Sequence, residues 1–530
     1  MRAIGRKEIH YWAYIFAFSL IVVGMPLSRF LVSMGGLFLA LNWLTAPGLI
    51  ARIREFFHNR IALILSSLYA LHLLGLLWTS DLEFGFADLQ TKIPILFIPL
   101  IFSSLQPFQN KHIHLIMQVF VLSVLTATLA GIVNYAGLSW IEVVDIRDIT
   151  PFVSHIRLAL FICLAIFYLI HRLFNPENKP LLKFAGLLII IWLFGYMLIT
   201  ESLTGIIILL VSGVILLVYK GITHKRRPVK ATAWSLMAIG TAALAFFLHG
   251  TLKNYEFPVP KEETSYESHT PRGNPYEHQL HDQQTENGNY LLRYVCWDEM
   301  KESWNQRSKL SFDSLDLLKQ PLKYTLIRYL SSRGLRKDAD GVAALSDNEI
   351  AAIEKGTSNF LLLQKMNFLQ RIKYRIVKFA WAYEVYRKTG DPSGYSLMQR
   401  VEYWRAAYHI IKRNPVIGVG TGDIKNAFRD EYIIMNSKLH ENLRHRAHNQ
   451  YLAIAISFGV LGLLVFLFVL IYPLFIKPFP GFMFGAFTII LLLSMLTEDT
   501  IESQAGVTFY AFFSGFFLFV YNKTCQVSKT

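Results

Sequence analysis

The sequence contains little charge for its length. Only 17% of its 530 residues are Asp, Glu, Lys or Arg, whereas 53% are hydrophobic. A soluble chain of this length would divide into two or three domains with a far more charged surface. This composition argues against an ordinary soluble protein and indicates that lipid covers much of the surface.

Cysteine is also scarce, and the three cysteines fall in three different environments. Cys163 lies in a hydrophobic run, Cys525 lies near the C-terminus, and Cys296 lies in a long polar segment. No intramolecular disulfide is therefore expected in that segment. The sequence also lacks a zinc-like Cys/His spacing, a convincing internal repeat and a strand-rich segment, and we predict neither a metal site nor a cofactor.

Long hydrophobic runs are abundant, and a run of about 20 residues crosses the hydrocarbon core as a helix. The first run is not a removable signal peptide, because no small-residue cleavage site follows it. The fourth run contains Pro94 and Pro99, so we expect a kink there. The sequence predicts an all-α polytopic membrane protein with about 12 transmembrane helices, at residues 11–27, 29–46, 61–78, 93–107, 113–136, 152–171, 183–199, 203–220, 231–249, 450–475, 479–496 and 505–522.

The short segments between the runs alternate in charge. If the N-terminus is cytoplasmic, the inner segments are basic and the outer segments are acidic, which is the positive-inside pattern. This pattern predicts an inner-membrane protein with both termini in the cytoplasm, and it explains most of the net charge of +15 without nucleic acid. The outer acidic residues are Asp81, Glu83, Asp88, Glu142, Asp145, Asp148, Glu498, Asp499 and Glu502.

One long segment, residues 250–448, contains no run long enough to span a membrane. We predict that it is a mainly helical periplasmic loop domain, between helices 1–9 (1–249) and helices 10–12 with a cytoplasmic tail (449–530). Its first part, through residues 287–290, is expected to be irregular. Ser346 and Glu349 then form a predicted capping box, and helical patterns follow at 360–389 and 397–412.

Two stretches carry the residues that suggest chemistry, RVEYWRAAYHIIKRNPVIGVGTG (400–422) and RHRAHNQYLAIAISFGVLGLL (444–462). In the first, the glycines at 418, 420 and 422 let the backbone approach another surface or a ligand. In the second, Arg444, His445 and Arg446 precede His448, which we expect in the first turn of a membrane helix. A helix N-terminus beside several cations suits a diphosphate.

The pattern R-x₃-W…N-P-x-x-G-x-G followed by H-N-x-Y-L…G-x-x-G resembles the O-antigen ligase and polymerase superfamily. Segments 325–341 and 497–509 are similar to members from Bacteroidetes-type bacteria. The resemblance implies twelve spans with the periplasmic loop between the ninth and tenth. It also implies transfer of a glycan from an undecaprenyl-diphosphate carrier to lipid A–core, in the ligase branch, or to another carrier-linked chain, in the polymerase branch.

The resemblance also implies roles for individual residues. His448 takes the position of the family's periplasmic histidine, and Arg400 takes that of its loop arginine. Many members carry a further arginine in a Ser-Arg pair at the outer end of a mid-chain helix, but residues 201–205 here read Glu-Ser-Leu-Thr-Gly. Arg157, near the outer end of the sixth run, is our candidate to replace it.

These residues suit a metal-independent, inverting glycosyltransferase. A neutral histidine can take the proton of an attacking sugar hydroxyl, so we assign catalysis to His448 and Arg400. Guanidinium groups match phosphate oxygens in a fork, so we assign diphosphate binding to Arg157, Arg444 and Arg446. Gly418, Gly420 and Gly422 are assigned to the motif without a chemical role.

Other interpretations stay open from sequence alone. His448 could cap a helix, Arg400 could be a solvated helix residue, and Arg444 and Arg446 could anchor lipid headgroups. Asp338-Ala339-Asp340 resembles a metal-binding Asp-x-Asp, although an Asp-rich helix start is the more common interpretation. Alternative functions are a protein O-oligosaccharyltransferase, a transporter or flippase, which usually shows internal repeats, and a binding protein that docks a partner on its loop.

The predicted topology can be tested with introduced cysteines. A cysteine at Asp298 should react with a membrane-impermeant maleimide in spheroplasts, whereas a cysteine at Lys225 should react only after permeabilisation, because basic segments stay inside. Labelling of the Lys225 position in intact spheroplasts would overturn the orientation.

Overall fold

The computed structural model describes residues 5–138, 149–223, 227–253, 265–282, 284–364, 367–390, 392 and 396–521. Some residues used in the topology prediction lie outside this part of the chain. They are Glu142, Asp145, Asp148, Lys225 and Cys525. The chain divides into two compact units, Met1–Met237 with Gln399–Thr530, and Ala238–Met398. The topological boundaries predicted at 249/250 and 448/449 are a separate matter and stay predictions.

The first unit is built from long apolar helices. Before the second unit, its helices are α1 (Arg6–Leu27), α2 (Arg29–Thr45), α3 (Leu49–His58), α4 (Arg60–Leu74), α5 (Leu82–Ser103), α6 (Asn110–Tyr135), α7 (His155–Leu173), α8 (Pro180–Ile199) and α9 (Leu203–Thr223), and α10 (Arg227–Lys253) runs from the first unit into the second.

The second unit and the return to the first complete the helices of the described chain. They are α11 (Trp297–Arg307), α12 (Leu322–Ser332), α13 (Ala339–Ala343), α14 (Asp347–Glu354), α15 (Phe368–Thr389), α16 (Ser396–Arg413), α17 (Ile424–Ile434), α18 (Gln450–Ile471), α19 (Phe482–Ser494) and α20 (Gln504–Gly515).

Each predicted hydrophobic run contains a helix, which confirms an all-α polytopic membrane protein. Within the described residues, ten helices are long and apolar enough to cross a membrane. Helix α2 joins α3 at a bend of 109°, and the pair counts as an eleventh span if taken together. Helix α19 has only 13 residues. The predicted number of about twelve therefore includes one bent pair and one short helix.

The fourth span differs from its predicted bounds of 93–107. Helix α5 begins at Leu82, more than two turns earlier, and contains both Pro94 and Pro99. The prediction started too late because Asp88 and Lys92 lower the local hydropathy. In the structure these two side chains form an ion pair one helical turn apart, so neither carries an uncompensated charge into the span.

Phenylalanine packing holds the helices of the first unit together. Phe509, Phe512, Phe513 and Phe516 in and beyond α20 are each at most 1% exposed. Their rings contact rings from several other helices, as in the pair of Phe120 and Phe513, whose centroids are 5.0 Å apart. Helices in lipid associate by such close packing, because lipid chains are as apolar as the side chains. Helix α20 is therefore central to the unit.

Polar caps fix one end of this unit. The Asn449 side chain accepts the Leu452 N–H at the start of α18, and the Ser503 hydroxyl accepts the Gly506 N–H at the start of α20. The Gln450 N–H donates to the Met495 carbonyl at 2.9 Å. Capping matters here because unpaired N–H groups are costly near lipid. These bonds bring the chain before α18 beside the α19–α20 loop, residues 495–503.

The second unit has its own hydrophobic core, which includes Trp304, Leu326 and Tyr329. Ser346 and Glu349 form the predicted capping box, and Gly356 follows α14 with φ 86°. The Asp338 side chain accepts the Gly341 N–H and caps α13. This contact favours the helix-start interpretation of Asp338-Ala339-Asp340.

One part of the second unit is more regular than expected. Residues 285–286 and 289–290 pair as a two-stranded antiparallel hairpin, with Thr285 opposite Tyr290. Asn287 and Gly288 form its turn with φ of 49° and 82°, and an Asn-Gly pair is the strongest short hairpin signal. The prediction of an irregular segment was therefore wrong at this hairpin.

Candidate functional site

His448 lies on the turn just before α18. Its backbone is left-handed, with φ 47°, and the next residue, Asn449, is the helix cap. We predicted His448 within the first turn of the helix, and the structure places it before the cap instead. Asn449, and not His448, therefore caps the helix. The His448 ring is half-buried and does not cap α18.

Helix α16 holds the segment that carries His448. The Tyr403 hydroxyl donates to the Leu443 carbonyl at 2.8 Å, and the Trp404 indole N–H donates to the Ala447 carbonyl at 3.0 Å. The Tyr403 ring lies 5.9 Å from the His448 ring. Hydrogen bonds from these two aromatic side chains thus fix the backbone of the segment that contains His448.

Arg400, one turn before Trp404 on α16, reaches the α19–α20 loop. Its Nη1 donates to the Thr497 carbonyl at 2.7 Å, and its Nη2 lies 3.2 Å from Glu498 Oε1. These bonds exclude the interpretation of Arg400 as a freely solvated side chain. Its charge also acts on His448.

Arg446, two residues before His448, reaches the same loop. Its Nη1 lies 3.7 Å from Glu502 Oε2, and its charge acts on both Asp499 and His448. The structure therefore brings Arg400, Arg446 and His448 together with the carboxyl groups of the α19–α20 loop.

Arg157 approaches this loop from the first turn of α7. Its Nη1 donates to the Ser154 hydroxyl at 3.0 Å, and its charge acts on Glu498. The buried Nε of Arg157 makes no hydrogen bond with the described residues. This placement agrees with the role that we assigned to Arg157, which stays a prediction.

Arg444 is engaged elsewhere. Its Nε donates to the Leu439 carbonyl at 3.1 Å, and its guanidinium lies 5.9 Å from the centre of the Tyr432 ring. No described contact brings Arg444 to His448. The contacts favour a structural role in the loop before α18 over the diphosphate binding that we predicted for it.

The glycine motif packs against α18 instead of facing open space. Gly459 interrupts α18 with φ 64° and ψ −163°, so the Ile456 carbonyl loses the helical N–H of Val460. The Ile456 carbonyl accepts the Val419 N–H at 2.9 Å instead. The Val460 N–H in turn donates to the Pro415 carbonyl at 2.8 Å. The motif and the break therefore exchange backbone hydrogen bonds.

No side chain fits where these two backbones meet. A Cβ on Gly418 would lie 2.4 Å from the Ile456 carbonyl oxygen, and one on Gly459 would lie 2.2 Å from the Val416 carbonyl. Gly420, with φ 98°, donates its N–H to the Ser457 carbonyl, and Gly422 donates to the Thr79 hydroxyl. Of the two roles that the sequence left open, the contacts favour approach to another surface of the protein.

Burial and charge set the protonation of the site. Burial first, and then Arg400, His445 and Arg446, lower the pKa of His448 to about 4. Burial is the larger cause, and the neighbouring cations add to it. Burial raises the pKa of Glu498 against the opposing charges of Arg400 and Arg157. His448 is therefore uncharged at neutral pH and able to accept a proton.

Sequence reasoning missed the group that holds this end of the unit together. The buried Glu502 carboxylate accepts from Lys92 Nζ at 3.0 Å and from the Gln450 side chain at 2.9 Å. Arg446 is its third partner. The signal was present in the spacing of Asp88 and Lys92, which suits one helix face, but the span had been drawn to begin after Lys92.

The fold and the site define a multi-pass membrane protein with a histidine among arginines and carboxylates at one end of its helices. Residues 357–467 match a family model described as O-Antigen ligase. The match covers α16, the three motif glycines, His448 and most of α18, and it supports membership of the O-antigen ligase superfamily, as the motifs predicted. No curated protein matches the chain. The Bacteroidetes-type resemblance stays a prediction.

The family assignment supports a coarse function. It supports an enzyme that ligates or polymerises glycans, with a polyprenyl-linked glycan and a lipid acceptor in a membrane.

Asp499 offers a stability test of the site. Burial raises its pKa from 3.8 to about 6, so ionising it above pH 6 costs stability that is present below pH 3.8. We expect Asp499→Asn to melt at a higher temperature than the wild type at pH 7, with a gain that shrinks as the pH falls towards 4. Thermal unfolding of detergent-purified protein measures this.

The matched control is Asp430→Asn, which changes an exposed aspartate on α17 and should leave the melting temperature nearly unchanged. A lower melting temperature for Asp499→Asn at pH 7 would show that the charged carboxylate stabilises the fold.

Proposed function

We propose that this chain transfers a glycan from a polyprenyl-diphosphate carrier to lipid A–core at the periplasmic face of the bacterial inner membrane. The observation that carries the proposal is the cluster of His448 with Arg400 and Arg446 beside the starts of α18 and α20. The family description supports ligation as the reaction. Both termini lie in the cytoplasm in this proposal, as the charge alternation predicts.

The arginines form the donor site. Arg400 now pairs with Glu498, and Arg446 pairs with Glu502. A diphosphate offers the same oxygen fork with more charge, so it replaces Glu498 at Arg400 when the donor arrives. Arg157 adds a third cation near Glu498. The carboxylates thus keep the arginines in place until the donor binds.

His448 is the proton acceptor. The acceptor hydroxyl gives its proton to the neutral imidazole while its oxygen bonds to the anomeric carbon. The bond from that carbon to the diphosphate breaks, and the arginines stabilise the charge on the leaving group. Attack opposite the leaving group inverts the anomeric centre. We propose that the arginines suffice without a metal ion.

Donor binding also improves His448 as a base. Arg400 and Arg446 hold its pKa down in the free protein. A bound diphosphate would neutralise those charges and so raise the pKa of His448 towards its ordinary value. A base with a pKa nearer the working pH transfers protons more effectively. The site is therefore most basic when the donor is present.

His448→Ala should abolish transfer while leaving insertion and donor binding intact. A well-placed general base contributes about 10²- to 10⁴-fold in rate. The wild-type kcat/KM should be insensitive to pH above about pH 5 and fall as the pH drops through about 4, where His448 of the donor-free protein becomes protonated. Transfer from carrier-linked donor by purified protein measures both effects.

His440→Ala is the matched control, since His440 is an exposed histidine in the same periplasmic segment. Arg400→Ala should also lose transfer, and Arg400→Lys should recover little of that lost rate, because a lysine cannot form the fork. If His448→Ala keeps more than about a tenth of the rate, the assignment as general base is wrong.

The wild type should also keep its rate of transfer in excess chelator, because the proposed reaction uses no metal ion. A rate that is lost in chelator and recovers only with manganese would return Asp338 and Asp340 as metal ligands.

The choice of acceptor is tested in cells. A strain that lacks this chain should lose long glycans on lipid A–core and accumulate carrier-linked glycan, and the wild-type chain should restore them where His448→Ala does not. The profile of surface glycans measures this. A core that bears one repeat unit would indicate a polymerase, and unchanged lipopolysaccharide with missing protein glycans would indicate a protein glycosyltransferase.

A further inference from the structure

A cavity of about 260 Å³ lies between α6, α7 and α8. Its walls are mostly apolar, with Val121, Leu169 and Ile189 among them. Arg172, in the last turn of α7, and Lys183, in the first turn of α8, line the same cavity. Because a short loop joins these two helices, the two cations lie at one end of the spans, where lipid headgroups begin.

The cations of this cavity have no anionic partner among the described residues. Arg172 Nη1 lies 3.2 Å from the His114 ring nitrogen Nε2, and Nη2 bonds to the Asn178 side chain. Both partners are uncharged acceptors. No described residue forms an ion pair with Arg172 or Lys183, and no residue that lines the cavity is acidic. Two half-buried cations therefore border an apolar space that lacks a counter-charge.

We propose that this cavity binds one anionic glycerophospholipid, with its phosphate between Arg172 and Lys183 and part of an acyl chain along the apolar wall. Basic pockets between transmembrane helices suit anionic headgroups. The arginine fork matches a phosphate, and the wall of Val121, Leu169 and Ile189 matches a hydrocarbon chain. The charge and the polarity of the cavity thus both fit the same ligand.

This site is separate from the transfer site. Arg157 lies in the first turn of α7 and Arg172 in its last, which is about 22 Å along the helix at 1.5 Å per residue. The cavity therefore opens at the opposite end of the span from His448. The inference does not rest on the proposed function.

Lipid binding to the purified full-length chain tests the inference. Native mass spectrometry with phosphatidylglycerol and phosphatidylethanolamine should show one preferentially bound phosphatidylglycerol. The double variant Arg172→Gln with Lys183→Gln should bind it roughly thirtyfold more weakly, as the loss of two headgroup-binding cations implies. The matched control is Lys179→Gln with Lys220→Gln, which removes two cations near the same helix ends that do not line the cavity, and it should bind normally.

A second variant tests the apolar wall without changing charge. Ala185 lines the cavity and is exposed, so Ala185→Phe should fold, fill the space and lose the bound lipid. Equal binding of the two lipids, equal loss in the control pair, or unchanged binding in the double variant would overturn the proposal. Displacement of phosphatidylglycerol by polyprenyl phosphate would overturn it too. Loss of the proposed transfer activity would leave it untouched, because binding is read without a glycan donor.

Discussion

The backbone groups released at Gly459 are the constraint on which the site depends. A break inside a membrane helix frees carbonyl and N–H groups that water cannot reach, and each costs several kcal/mol if unpaired. Here residues 415–420 satisfy them, as with the Val419 N–H on the Ile456 carbonyl. This exchange fixes the end of α16 against α18. Tyr403 and Trp404 then fix the segment before α18, and His448 lies on that segment.

A buried ion network secures the same end from the other side. Glu502 joins Lys92 of α5, Gln450 of α18 and Arg446 of the loop before α18. Loss of one partner from such a network costs about 3–5 kcal/mol, since it leaves a buried charge uncompensated. Glu502 thus sets the distance between Arg446 and the helix ends. The position of a cation beside His448 depends on a residue that needs no contact with the substrate.

The sequence predicted the helices well, because hydropathy and capping are local properties. Ser346 with Glu349 shows this, since both partners lie within one turn. It failed at the start of α5, because the charge of Lys92 is compensated by Asp88 one turn away and also by Glu502, which lies far along the chain. It also gave Arg444 and Arg446 the same assignment, whereas their contacts differ. The two lie two positions apart, and only tertiary contacts turn one towards Tyr432 and the other towards Glu502.

The same contacts explain how His448 could act as the proposed proton acceptor although two arginines lie near it. In water, neighbouring arginines would keep His448 neutral but make it a weak base. Glu498 and Glu502 hold Arg400 and Arg446 at the site in the free protein, which avoids the cost of unpaired cations near lipid. In the proposed reaction, an arriving diphosphate takes over that pairing and raises the pKa of His448 at the step in which a proton must move. In this proposal, the carboxylates stabilise the site before the donor binds, and the bound donor makes His448 the stronger base.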